Sequence, residues 1–300
     1  MDSTSTDDKG LARSDNRRRL PTRAPVPFPS AIAIVLTLTA SATLASPQRV
    51  VSLNVCTDQM AMLLAADGQL HSVSHLAADP SVSAVADMAR QYAVNHGLAE
   101  EIFMMKPDLV LAGTYTTRST VELVRKLGIA VEEFAPVASF DDVRTSFRRM
   151  GELLGRNEKA ETIVAKFDAE LAELTAQPQT GETVALYYAN SYTSGAGTLV
   201  DAVVEAAGME NIGSRLGLSG TARLPLEQLI LADPDVVVLG DHNYPTPALA
   251  QANFSHPAFE AFVGKKTVVT IPPPATICGG LSTLDAARSL RDAAGRGNGS

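Results

Sequence analysis

The sequence predicts an α/β protein built from two parallel-sheet lobes joined by a single long helix, with a ligand cleft between the lobes. Three observations carry this expectation. Short β-branched runs alternate with helical segments over residues 49–134 and again over residues 184–295. The stretch between them, residues 141–176, has helical spacing and no strand pattern. Finally, residues 99–113 (AEEIFMMKPDLVLAG) are echoed at an offset of 127 by residues 226–240 (LEQLILADPDVVVLG). At that offset Glu100 meets Glu227, Pro107 meets Pro234, Asp108 meets Asp235 and Gly113 meets Gly240. The echo predicts the same architecture in both halves.

The elements follow in order. Residues 1–45 are expected to be an export signal. Arg17, Arg18, Arg19 and Arg23 precede the apolar run AIAIVLTLTASATLA, whose 15 residues are short for a bilayer span of about 20. Small residues close it, which places cleavage after Ala45. The RRRL motif leaves twin-arginine export open beside the general route. Residues 46–140 are the first lobe. RVVSL is a buried strand, the helix TDQMAMLLAA follows with Thr57 as its expected N-cap, LVLA and VEEF are further strands, and TVELVRKLG is a helix closed by glycine. Residues 141–180 are the helical connector, interrupted at Gly155 and recapped at Asn157. In residues 181–295 the alternation restarts with VALYYA, TLVDAVVEAAG, VVVL, TVVTI and a last helix STLDAARSLRDAAG. Residues 296–300 are a frayed tail.

Composition narrows the function. The 300 residues are 45% hydrophobic and 19% charged, which excludes a wholly disordered chain and a polytopic membrane protein. Beyond residue 45 there are 19 basic and 29 acidic side chains, so the body is acidic and offers no footprint for nucleic acid. There is no GxSxG, HExxH or GxxxxGK[ST] motif, and an enzyme is not expected.

Ligands of open α/β sheets gather beyond the carboxyl ends of the strands. The segments there supply Asn54, Cys56, His75 and Tyr115 in the first half, and Tyr192, His242, Tyr244 and Cys278 in the second. Facing each other, they would line a cleft suited to a large ligand with polar edges or to a bound metal complex. The two cysteines have three readings: free thiols, a disulfide across the cleft, or contacts to ligand or metal. A cross-lobe disulfide would hamper opening, which counts against it.

With these residues laid out, the chain resembles the solute-binding proteins of ABC importers, in the branch that carries vitamin B12, ferric siderophores and haem. The resemblance spans residues 48–292 and rests on the order and spacing of RVVSLNVCTDQMAMLLA, SHLAADP, GLAEEIFMMKPDLVLAG, LGIAVEEFAPVASFDDVRTSFRRMGELLGR, TLVDAVVEAAGMENIG and LPLEQLILADPDVVVLG. It implies a monomeric periplasmic protein with no cofactor of its own. Such a protein captures a metal chelate (a ferric siderophore, a cobalamin-like corrinoid or haem) between two lobes on a stiff helical hinge. It also implies that Glu100 and Glu227 dock onto arginines of the permease in the inner membrane. The chain departs from B12-binding members in having no Trp and in placing Cys56 and Cys278 toward the cleft. Arg118 is the one candidate cation there. The competing expectation is a receptor that holds a metal ion directly through His75, His242, Cys56 or Cys278.

Overall fold

In the computed structural model, which describes residues 46–240 and 249–297, the first lobe is a run of alternating strands and helices. β1 (Val50–Ser52) is followed by α1 (Val55–Leu64), β2 (Leu70–Ser74), α2 (Ala86–Ala89) and β3 (Ala93–Asn95). Then come α3 (Ala99–Met105), β4 (Leu109–Gly113), α4 (Arg118–Lys126) and β5 (Ala130–Phe134). The strands form one parallel sheet in the order β3-β2-β1-β4-β5. β1 and β4 are buried along their whole length, as strands covered on both faces must be.

Two helices come next, α5 (Phe140–Leu154) and α6 (Asn157–Thr175). The second lobe then holds β6 (Thr183–Tyr187), β7 (Tyr192–Ser194), α7 (Leu199–Ala206), β8 (Glu210–Asn211), α8 (Ile212–Arg215) and β9 (Thr221–Arg223). It continues with α9 (Leu226–Ala232), β10 (Val236–Leu239), α10 (Pro257–Val263), β11 (Thr267–Thr270), α11 (Pro274–Ile277) and α12 (Leu281–Gly297). Its main sheet is parallel, in the order β11-β10-β6-β8, and β7 pairs with β9 in a small antiparallel ribbon. The order β2-β1-β4-β5 in one lobe therefore corresponds to β8-β6-β10-β11 in the other. The internal echo has a structural counterpart. Asp108 accepts the backbone N–H groups of Gln48 and Arg49 at the start of β1, and Asp235 accepts the N–H and hydroxyl of Thr183 at the start of β6.

The connector differs in detail from the expectation. Gly155, at φ 67°, closes α5, because a left-handed residue ends a helix and glycine takes that conformation without a Cβ clash. The residue that caps α6 is Arg156, and Asn157 is already helical. α5 belongs to the first lobe: Val143, Phe147, Met150 and Leu154 share a core with Met60, Ala61 and Leu64 of α1. α7 and α12 reach both cores, through Leu199 and Leu284 in the first and Val203 and Leu290 in the second, and so does α6, with Val164 and Phe167 in the first and Leu174 in the second. Its 19 residues span about 28 Å. Arg144–Asp168 and Arg148–Glu161 ion pairs hold it to α5, and Arg288–Glu170 holds it to α12.

α12 runs through Gly297, two residues past its expected end. The expected export signal lies outside the described residues. Among the described residues no helix is long and apolar enough to cross a membrane.

Candidate functional site

α1 begins where β1 ends. Asn54 is its cap, its Oδ1 accepting the Cys56 N–H at 2.9 Å. The expected cap, Thr57, is instead buried in the first turn and donates its hydroxyl to the Asn54 carbonyl at 2.9 Å. Asn can accept from the backbone two residues on, which is what an N-cap needs, and it comes earlier in the chain.

Cys56 is joined to Cys278 in a disulfide that links residues 222 positions apart. Of the three readings of the cysteines, the structure contains the cross-lobe bridge, and no free thiol remains among the described residues. Two neighbouring features explain why the bridge fits. Cys56 sits at the amino end of α1, and α11 delivers Cys278 directly opposite it. The adjacent Gly279 has no side chain, so its backbone lies on the first lobe. A Cβ there would clash with Val143 Cγ2 and stand 3.0 Å from Val137 Cγ2.

Beside the bridge is a cavity of about 150 Å³ with walls from both lobes. The first lobe supplies Met60, Phe134, Val137 and Phe147, and the second supplies Ile277, Cys278 and Gly279. Asn54, Thr57, Thr114 and Ser146 are the polar contributors, and Tyr115 stands at the mouth, 87% exposed. No described lining residue carries a charge. Asn54, Cys56, Tyr115 and Cys278 are thus brought together.

Other expected site residues lie elsewhere. His75 opens a short 3₁₀ turn and stacks on His96, ring centroids 5.6 Å apart. Arg118 is an exposed first residue of α4 paired with Glu122 at 3.3 Å. Tyr192 begins β7 and lies under the Arg223 guanidinium. None of the three lines the cavity. His242 and Tyr244 lie outside the described residues. Glu100 and Glu227 are both exposed, in the first turns of α3 and α9.

Several lining residues escaped the sequence reading. Applying the strand-end rule to β5 would have found residues 135–137, which follow it directly. Val143 and Phe147 carried only the spacing of an ordinary core helix face. Elsewhere on α1, Asp58 is fully buried and accepts the N–H and hydroxyl of Ser74. Burial pushes its carboxyl up to about 6, against the lowering effect of hydrogen bonds from Ser52 and Ser74.

Direct metal ligation finds no support. The cysteines are consumed in the bridge, and no group of three or more His, Cys, Asp or Glu suited to a metal ion occurs among the described residues.

Residues 50–275 match the periplasmic binding protein family. The chain belongs to this family. Among curated relatives of this periplasmic binding protein, a cobalamin-binding protein of Halobacterium salinarum is 32% identical over 146 residues, 47% of this chain and 40% of the relative. The chain thus spans less than half the length of that relative. A vitamin B12-binding protein of Pectobacterium carotovorum is 26% identical over 68% of this chain and 75% of its own length. Among solved structures, the haem-binding protein HutB of Vibrio cholerae superposes with a TM-score of 0.68 at 18% identity, covering 82% of this chain and 98% of the other. The vitamin B12-binding protein BtuF of Vibrio cholerae gives 0.63 at 17%, covering 85% and 99%. Both share the fold.

Proposed function

We propose that this periplasmic binding protein captures a metal chelate between its lobes and delivers it to the permease of an ABC importer. Within that class a cobalamin-like corrinoid is favoured over haem or a ferric siderophore. The observation that carries this choice is the uncharged lining of the inter-lobe cavity. A haem brings two carboxylates and a catecholate complex brings several negative charges. Either would need cations that the described walls lack, and an unpaired buried charge is costly. A corrinoid edge carries neutral amides, which the Asn54, Thr114 and Ser146 side chains can meet. The cobalamin-binding and vitamin B12-binding relatives support the same choice.

The cavity is smaller than the several hundred Å³ of a typical ligand pocket. It therefore takes one apolar ring-sized portion of the ligand, against Met60, Phe134 and Phe147, while the remainder lies across the mouth beside Tyr115. The protein acts after export, in the periplasm. The basic and apolar leader and a disulfide, which persists in oxidising compartments, support that location. Glu100 and Glu227 serve as the docking carboxylates, one on each lobe. No catalytic step is assigned to the protein.

Titration with cyanocobalamin, haemin and a ferric catecholate tests the choice. The chain has no Trp, so its six Tyr report binding by fluorescence, with melting temperature as a second signal. Cyanocobalamin is expected to shift both signals. A response to haemin or the catecholate alone would overturn the corrinoid assignment, and no response to any chelate would overturn the importer reading.

A further inference from the structure

α3 and α9 are one helix built twice. Shifting Ala99–Met105 by 127 positions gives Leu226–Ala232, the bounds of α9. Their caps, Lys106 and Asp233, are both left-handed and are also 127 apart. So are their buried anchors, Ile102 and Leu229, each fully buried. Glu100 and Glu227 occupy equivalent exposed positions, and neither has an ionic partner among the described residues.

One turn further along, the same offset pairs Met104 with Leu231. Met104 is 75% exposed and Leu231 is 84% exposed. Residues four apart share a helix face, so each lobe presents a free carboxylate with a bare apolar side chain next to it. A single exposed apolar residue needs no explanation. Two at equivalent positions, each beside an equivalent unpaired carboxylate, make a duplicated surface. Ile102 and Leu229 already anchor the helices, so Met104 and Leu231 are not needed for the core.

We propose that Met104 and Leu231 are the apolar contacts of a two-point docking surface whose occupant is the importer permease. Each inserts into an apolar recess bordered by the cation that meets Glu100 or Glu227. This rests on the importer reading and adds residues to it. The charge of the surface selects the occupant: bare carboxylates call for cations, and they disfavour an anionic lipid surface. The duplication calls for a partner with two equivalent docking positions. The apolar contact has a physical role beside the ion pair. An exposed ion pair contributes little by itself because water screens it. An apolar neighbour that excludes water strengthens it, as the surround of a binding hot spot does.

The test compares three proteins: wild type, Met104→Ser with Leu231→Ser, and Glu100→Ala with Glu227→Ala. Each is measured for binding to the cognate permease in nanodiscs and to nanodiscs of lipid alone. The Met104/Leu231 variant is expected to bind the permease about tenfold or more weakly, with cyanocobalamin affinity and melting temperature unchanged. Undiminished permease binding by this variant, alongside weakened binding by the glutamate variant, would overturn the proposal and leave the docking reading standing. Full binding by both variants would overturn the two together. Binding to lipid-only nanodiscs that disappears in the Met104/Leu231 variant would reassign the surface to the membrane and likewise overturn the proposal.

Discussion

Asp58 shows how much one buried side chain can govern. Its carboxyl titrates at about 6, against 3.8 for the ordinary side chain, because burial disfavours the charge more than Ser52 and Ser74 compensate. Between those values the native state holds a proton that the unfolded chain has released. The stabilising contribution is therefore full below pH 3.8 and is lost as pH rises through about 6. The shift amounts to roughly 3 kcal/mol at most. Asp58→Asn removes the titration while keeping the shape. Urea unfolding from about pH 4 to 7 should show wild-type stability falling relative to the variant across that window. Parallel profiles would show that Asp58 does not carry the proton. Asp58 was not legible as a special residue. In the sequence it is one acidic side chain in the first turn of a helix, where such residues are common, and only the tertiary approach of β2 makes it costly. Asn54 was legible as a site residue but not as the cap, since Thr57 offered an equally good capping group three residues later.

At the scale of elements, the seam between lobes depends on backbone approach. Gly279 lies on Val137 and Val143 with no room for a methyl group. Gly279→Ala should cost about 1–3 kcal/mol and narrow the cavity, seen as a lower melting temperature and weaker cyanocobalamin binding. An unaltered melting temperature would mean that the lobes are free to separate there. The Cys56–Cys278 bridge adds a covalent tie across the same seam. Cys278→Ser, or reduction of the wild type, should lower stability by about 2–5 kcal/mol, and reductant should leave the serine variant unchanged. The central strands were legible because β1, β4, β6 and β10 are continuous apolar runs. β3 and β8 were not, since an edge strand of two or three residues has no run to recognise. The bridge was left open because the sequence gives no distance between residues 222 apart.

For the molecule as a whole, two matched lobes joined by α6 place the cleft and the helices α3 and α9 by one repeated plan. The offset of 127 was visible from identical residues at positions 100, 107, 108, 110 and 113, yet it extends to helix bounds, caps and buried anchors that no pattern of letters displayed. What stayed hidden was which strand-end loops converge. His75, Arg118 and Tyr192 satisfy the same strand-end rule as Tyr115, but none of them lines the cavity that Ile277 and Cys278 complete.

The Cys56–Cys278 bond also changes what kind of polymer this is. Residues 57–277, including α6, lie within a closed covalent ring. A single protease nick near Pro178, just past the end of α6, would open that ring without parting the halves. The fragments should migrate as one band on a gel without reductant and as two once the bond is reduced.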